Sequence, residues 1–129
     1  MKLKDYFETT PGTGVLSTSN SNGQIDAAIY SSPHFIDEQL AFIMRDRLSH
    51  RNLASNPRAV YLFIEDGPGY KGKRLYITRV KEEKNTERIQ SLKRRKSSAE
   101  PNEDTFLVFF EINNERPLVG DYRLKQGEI

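Results

Sequence analysis

The sequence contains no cysteine. That excludes disulfides, thiolate nucleophiles, thiol redox chemistry and most structural zinc sites, and it fits a reducing cytoplasmic compartment. No stretch approaches the roughly 20 consecutive apolar residues needed to cross a bilayer. The opening Met-Lys-Leu-Lys-Asp-Tyr-Phe-Glu has no continuous apolar signal region, so a soluble, unprocessed, cytoplasmic protein without membrane attachment is expected. Charge of one sign is not in excess either. Although 29% of residues are charged, the formal net charge is only +2, which implies no long-range basic field for nucleic acid. Histidine is scarce: His34 and His50 are the only two, and neither has carboxylates or a second histidine at a metal-ligand spacing, so no metal site is expected.

What is present is a chain of 129 residues, the size of one compact domain spanning 1–129, with no internal repeat and no linker. Leu3, Tyr6 and Phe7 at i, i+3, i+4 predict a short amphipathic helix that Pro11 and Gly12 terminate. Two β-compatible segments, Val15 to Thr18 and Gln24 to Ser32, flank Asn22-Gly23, a hairpin signal because Asn-Gly adopts positive φ cheaply. A turn at Asp37-Glu38 leads into a third strand, Leu40 to Arg45, apolar on both faces. A two-turn helix follows, capped by Ser49 and stopped at Asn56-Pro57.

Residues 58–64 predict a fourth strand and Arg74 to Val80 a fifth, with Leu75 and Ile77 on one face and Tyr76 and Thr78 on the other. Glu83 to Lys96 reads as a surface helix with Ile89 and Leu92 as its apolar positions, and Ser97 to Asp104 as a loop. Thr105 to Ile112 is a central sixth strand with Phe106, Val108 and Phe110 opposite Leu107 and Phe109. Six short strands, hairpin turns and few helices predict a mainly β, antiparallel barrel, whose closure removes unpaired edges.

The chemistry concentrates where the third strand runs into the second helix, Ile43-Met44-Arg45-Asp46-Arg47-Leu48-Ser49-His50-Arg51-Asn52. A helix N-terminus offers unpaired N–H groups and partial positive charge. With the Ser49 hydroxyl, the Arg51 guanidinium and His50 added, the segment has the donors of a phosphate site; the alternative is a capped surface helix with solvated charges. Other features read as structure. The basic run Lys93 to Lys96 complements a helix C-terminus, with nucleic-acid contact as its alternative. Pro11-Gly12-Thr13-Gly14 lacks the Gly-Lys-Ser/Thr ending of a phosphate loop and reads as a turn. Asp37-Glu38 and Glu65-Asp66 are solvated turn carboxylates, and Tyr61, Phe63, Phe106, Phe109 and Phe110 are core or interface aromatics.

The succession Gly14-Val-Leu-Ser-Thr, the Asn22-Gly23 hairpin, Leu40-Ala-Phe-Ile-Met-Arg and Ser49-His-Arg-Asn-Leu-Ala-Ser-Asn-Pro-Arg-Ala-Val resembles the FMN-binding split-barrel family that includes pyridoxamine 5′-phosphate oxidase, over roughly residues 12 to 113. The resemblance implies a six-stranded split barrel, a homodimer and an FMN cofactor. It implies that Ser49, His50 and Arg51, with Asn52 beside them, hold the FMN phosphate, His50 and Arg51 standing where the family carries other cations. It implies that the flavin ring lies against Ile29, Tyr30, Ser31 and Ser32 and against the strand carrying Ile43, Met44 and Arg45, with Arg45 or Lys73 beside the ring's pyrimidine. The oxidase's own residues are replaced at Ala28, Pro33 and Lys73, which argues against its reaction. The implied activity is a flavin-dependent oxidoreductase acting on a small substrate, with reduced nicotinamide as an electron source. The alternative is a module that stores or senses flavin, haem or a deazaflavin, with His34 or His50 as a haem ligand. The resemblance also raises the question of whether the segment from Gly120 to Arg123 covers a partner's flavin.

Overall fold

The computed structural model describes residues 2–92 and 103–120. Seven strands form one antiparallel sheet: β1 (Gly12–Ser19), β2 (Ile25–Tyr30), β3 (His34–Ile36), β4 (Gln39–Arg45), β5 (Arg58–Glu65), β6 (Gly72–Lys84) and β7 (Thr105–Pro117), in the order β2-β1-β5-β6-β7-β4-β3. Helices α1 (Leu3–Thr9), α2 (Leu48–Ser55) and α3 (Glu87–Leu92) accompany it. The sheet curls until β2 faces β4. Side chains cross the split: the Tyr30 ring meets Phe42 edge-on at 5.6 Å, and the Tyr61 hydroxyl donates to the Ser31 carbonyl at 3.0 Å. This is a split barrel.

Alternation places Leu16, Tyr61, Phe63, Leu75, Ile77, Phe42, Met44, Phe106, Val108 and Phe110 in one core inside the barrel. The intervening residues of β4 and β7, Ala41, Leu107 and Phe109, form a second cluster outside it, covered by Ile89 of α3. Both faces of β4 and β7 are therefore buried, which is why these strands carry unbroken apolar runs. α1 closes one end of the barrel, its Phe7 ring packed against Phe35, Tyr61 and Phe63.

Three expectations are corrected. Among the described residues the strands number seven, not six: Asp37 and Glu38, both at positive φ, form a two-residue turn pairing His34–Ile36 with β4. A three-residue strand is too short to show a period. The helix expected from Glu83 begins only at Glu87, because β6 continues to Lys84 alongside Phe106 of β7. A long partner strand overrides helix propensity there. Its expected end at Lys93 to Lys96, and most of the loop Ser97 to Asp104, lie outside the described residues, as do positions 121–123 of the C-terminal segment. Finally, Ser49 is not the helix cap; α2 is preceded by Arg47 in extended conformation with no side-chain cap.

Candidate functional site

α2 lies across the split. Asn52, buried, donates from Nδ2 to Thr18 Oγ1 at 3.1 Å and so pins the middle of the helix to β1. One turn earlier, buried Ser49 hydrogen-bonds the phenol of Tyr30 on β2. Burial pushes the Tyr30 hydroxyl pKa up; the Ser49 bond opposes that rise and Asp26 adds to it. These two bonds fix α2 so that its first turn faces the opening between β2 and β4. Lacking a side-chain cap, that turn presents its amide hydrogens as an anion would meet them.

The charges around this turn are mutually engaged. Arg47 forms a two-pronged pair with Glu103, Nε and Nη2 each 3.1 Å from a carboxylate oxygen, and Arg45 approaches the same carboxylate at 3.9 Å. His50 stacks on Phe106 at a centroid distance of 3.8 Å and sits between two carboxylates, Nδ1 at 3.3 Å from Asp46 and Nε2 at 3.0 Å from Glu82. A neutral imidazole has one N–H and donates to only one of them at a time. Arg79 also reaches Glu82, at 3.3 Å. Arg51 is the most open cation, its side chain 71% exposed and 3.8 Å from Asp46. Four guanidinium groups therefore face three carboxylates, a weaker positive site than the row of basic residues suggests.

Of the positions expected from the sequence, Tyr30, Arg45, Ser49, His50, Arg51 and Asn52 come together around the α2 N-terminus, though Asn52 acts as a structural pin. Ser31 and Ser32 follow the end of β2, with the Ser31 carbonyl committed to Tyr61. Ile29 points outward and is 71% exposed. The side chains of Met44 and Ile43 turn elsewhere, Met44 into the barrel core and Ile43 towards the cluster under α3. Lys73 is at the α1 end of the barrel, its ammonium 3.2 Å from Glu115 and over the Tyr6 ring at 4.8 Å. In register it is three strands from Tyr30, through Phe63 and Gly14, about 14 Å along the sheet. Its neighbour Arg74 has the outward parity, opposite Leu62 on β5. Sequence reasoning missed Glu82 and Glu103, which reach the site only through the β6–β7 pairing; no local spacing signals them.

Among the described residues no cluster of three or more His, Asp or Glu side chains could hold a metal ion, and no helix is long and apolar enough to cross a membrane.

The chain has the split-barrel fold of pyridoxamine-phosphate-oxidase-like FMN-binding proteins. Among solved structures it is similar to an F420 reductase, 13% identical, with 89% of this chain and 97% of that one covered and a TM-score of 0.66. It is similar also to an FMN-binding protein from Syntrophomonas wolfei, 18% identical, covering 92% of this chain and 84% of that one, TM-score 0.66. A third is HutZ, the haem storage protein from Vibrio cholerae, 16% identical, covering 91% and 95%, TM-score 0.59. At these identities the likeness is one of fold. No protein-family model and no curated protein matches the chain.

Proposed function

We propose that the chain binds FMN at the opening between β2 and β4, as one half of a homodimer, and works as a flavin-dependent oxidoreductase on a small substrate. The observation that carries the reading is the uncapped first turn of α2, held beside the barrel's split by the Tyr30–Ser49 and Asn52–Thr18 bonds. The residues fit the phosphate end of the cofactor: first-turn amides supply directed donors and Arg51 an exposed guanidinium. The three named neighbours support a large planar cofactor, since their names specify F420, FMN and haem on one fold. His50 favours flavin over haem, because both its ring nitrogens already face carboxylates.

FMN, when bound, supplies the electron transfer that a cysteine-free chain does not provide. The chain's own contribution is placement. Tyr30 borders the opening, Arg51 and the α2 amides hold the anionic end, and Arg45 offers positive charge from β4. The homodimer reading rests on the outer sheet face, where Ile29, Val15 and Leu62 align in register across β2, β1 and β5 with Ile64 beside them. Reduced nicotinamide is the proposed electron source.

The test is an absorbance spectrum from ~300 to ~700 nm with and without FMN, the region where a cofactor rather than protein absorbs. Resolved flavin bands that Arg51→Ala abolishes are expected, followed by FMN-dependent oxidation of reduced nicotinamide. A protein that stays colourless in excess FMN overturns the reading, and a Soret-type band transfers it to haem.

A further inference from the structure

The outer face of β1, β5 and β6 carries a cleft of about 540 Å³, at the C-terminal end of α2 where Asn56 borders it. The eight residues of α2 separate it from the helix N-terminus by roughly 12 Å, and it is outside the barrel rather than in the split. It exists because β1 presents small hydroxyl residues, Ser17 and Ser19, at its outward positions there, while Ile25 on one side and Tyr76 on the other stand up as walls.

Three features give the cleft a ligand chemistry. Register places Arg58 beside Thr78, and β7 contributes Asn113 from a β-bulge, the residue left over where Tyr76 pairs with Asn114 and Ile77 with Ile112. A bulge re-aims a side chain out of the strand's alternation. Here Asn113 accepts the Thr78 hydroxyl on its Oδ1 at 2.5 Å, which leaves the amide NH₂ as a donor beside Arg58. Among the described residues no carboxylate pairs with the exposed Arg58 guanidinium. One end of the cleft is thus a pair of donors without a carboxylate. The other end is apolar: Val60 forms the floor, and Ile25 is 79% exposed although its side chain is large and hydrophobic. The Tyr76 wall is backed by the buried Arg116 guanidinium, 5.6 Å from the ring centroid, which holds the ring as a rigid flat surface.

From this arrangement we infer a second ligand site for an aromatic monocarboxylate, its carboxylate on Arg58 and the Asn113 amide and its ring between Ile25 and Tyr76. The volume is that of a small-molecule pocket, in which apolar walls supply affinity and a few polar groups fix orientation. The site uses none of the residues around the α2 N-terminus, and it lies on the same outer sheet face as the proposed dimer contact, two residues further along β1 and β5.

The test is a backbone-amide NMR titration of the full chain, without cofactor, with 2-naphthoate and with its uncharged isostere 2-naphthamide. Saturable shifts centred on Ser19, Arg58, Thr78 and Asn113 are expected for naphthoate, with weaker binding of the amide. Arg58→Ala should weaken naphthoate at least about five-fold and the amide less than about two-fold, because only the carboxylate loses an ion pair. Ser17→Leu, which fills the cleft and keeps Arg58, should weaken both. Absence of saturable shifts, or equal affinity for the two probes with no effect of Arg58→Ala, overturns the inference. So does FMN shifting the same amides and displacing naphthoate, which would assign the cleft to the flavin. Naphthoate binding in a chain that fails to bind FMN leaves the inference standing and removes only the cofactor reading.

Discussion

The Tyr6 hydroxyl donates a 2.6 Å hydrogen bond to Oε2 of Glu65, fastening α1 to the end of β5. Burial raises the Tyr6 pKa above its ordinary value of 10.0, and the Glu65 carboxylate raises it further. A phenol whose pKa is higher in the folded state stabilises the fold in its neutral form. That contribution is complete below pH 10 and is lost as pH rises above it, where the unfolded chain ionises first. Tyr6→Phe should therefore cost about 1 kcal/mol at neutral pH and flatten the alkaline limb of the stability curve. Urea unfolding midpoints from pH 7 to about pH 11 measure both effects. An alkaline limb as steep in the variant as in the wild type would place the titrating group elsewhere.

Gly14 is fixed by the ring beneath it. A β-carbon at that position would overlap the Tyr61 hydroxyl and ring and crowd the Tyr30 carbonyl. Tyr61 is fully buried and its hydroxyl holds Ser31 at the split, so the ring cannot retreat without releasing β2. Gly14→Ala should destabilise the protein by about 1–3 kcal/mol, the usual range for overpacking. Tyr61→Phe in the same background should recover part of the loss by removing the overlapping oxygen. Denaturant titration of the two single variants and the double variant gives the coupling directly.

The strands are legible in the sequence where each is long enough to alternate. Phe106, Val108 and Phe110 face one core and Leu107 and Phe109 the other, as their period predicts, and Asn22-Gly23 turns between β1 and β2 with Gly23 at φ 81°. Legibility fails where a residue's fate is set by a distant partner. Glu83 and Lys84 read as helical in isolation and are strand because β7 lies beside them. The site shows the same limit. The segment from Arg45 to Asn52 is contiguous and its basic residues are visible, whereas Glu82 and Glu103 oppose them from positions more than 30 residues along the chain. The placement of Lys73 is likewise set by a partner strand: the β5–β6 register gives it the inward parity of Leu75 and gives Arg74 the outward one.

Ile29 gives a direct test of the proposed homodimer. It is 71% exposed on the edge strand β2 and aligned with Val15 and Leu62, so it is free to change without disturbing the core. Ile29→Glu introduces a charge that costs nothing in a monomer and must be desolvated in an interface across this face. Light scattering coupled to size exclusion should report two chains per particle for the wild type and one for the variant, with unchanged thermal unfolding of the monomeric fold. Two chains in both would move the interface to another surface.

Glu82 sets the strength of the anion site. It lies 3.0 Å from His50 Nε2 and accepts from Arg79 Nη1 at 3.3 Å, engaging two groups beside the α2 N-terminus that a phosphate would otherwise use. Glu82→Gln keeps the shape and removes the charge, so that its hold on both groups weakens and one repulsion disappears. The pair is partly exposed, and solvent screening limits the gain to about 0.5–1 kcal/mol, or roughly two- to five-fold in FMN affinity. Riboflavin lacks the phosphate and serves as the control, its affinity unchanged by the substitution. Fluorescence-quenching titrations of both flavins against both proteins separate the cases. A gain confined to FMN locates the phosphate next to His50, whereas equal gains for the two flavins would mean that Glu82 acts on the ring end or through the position of α2.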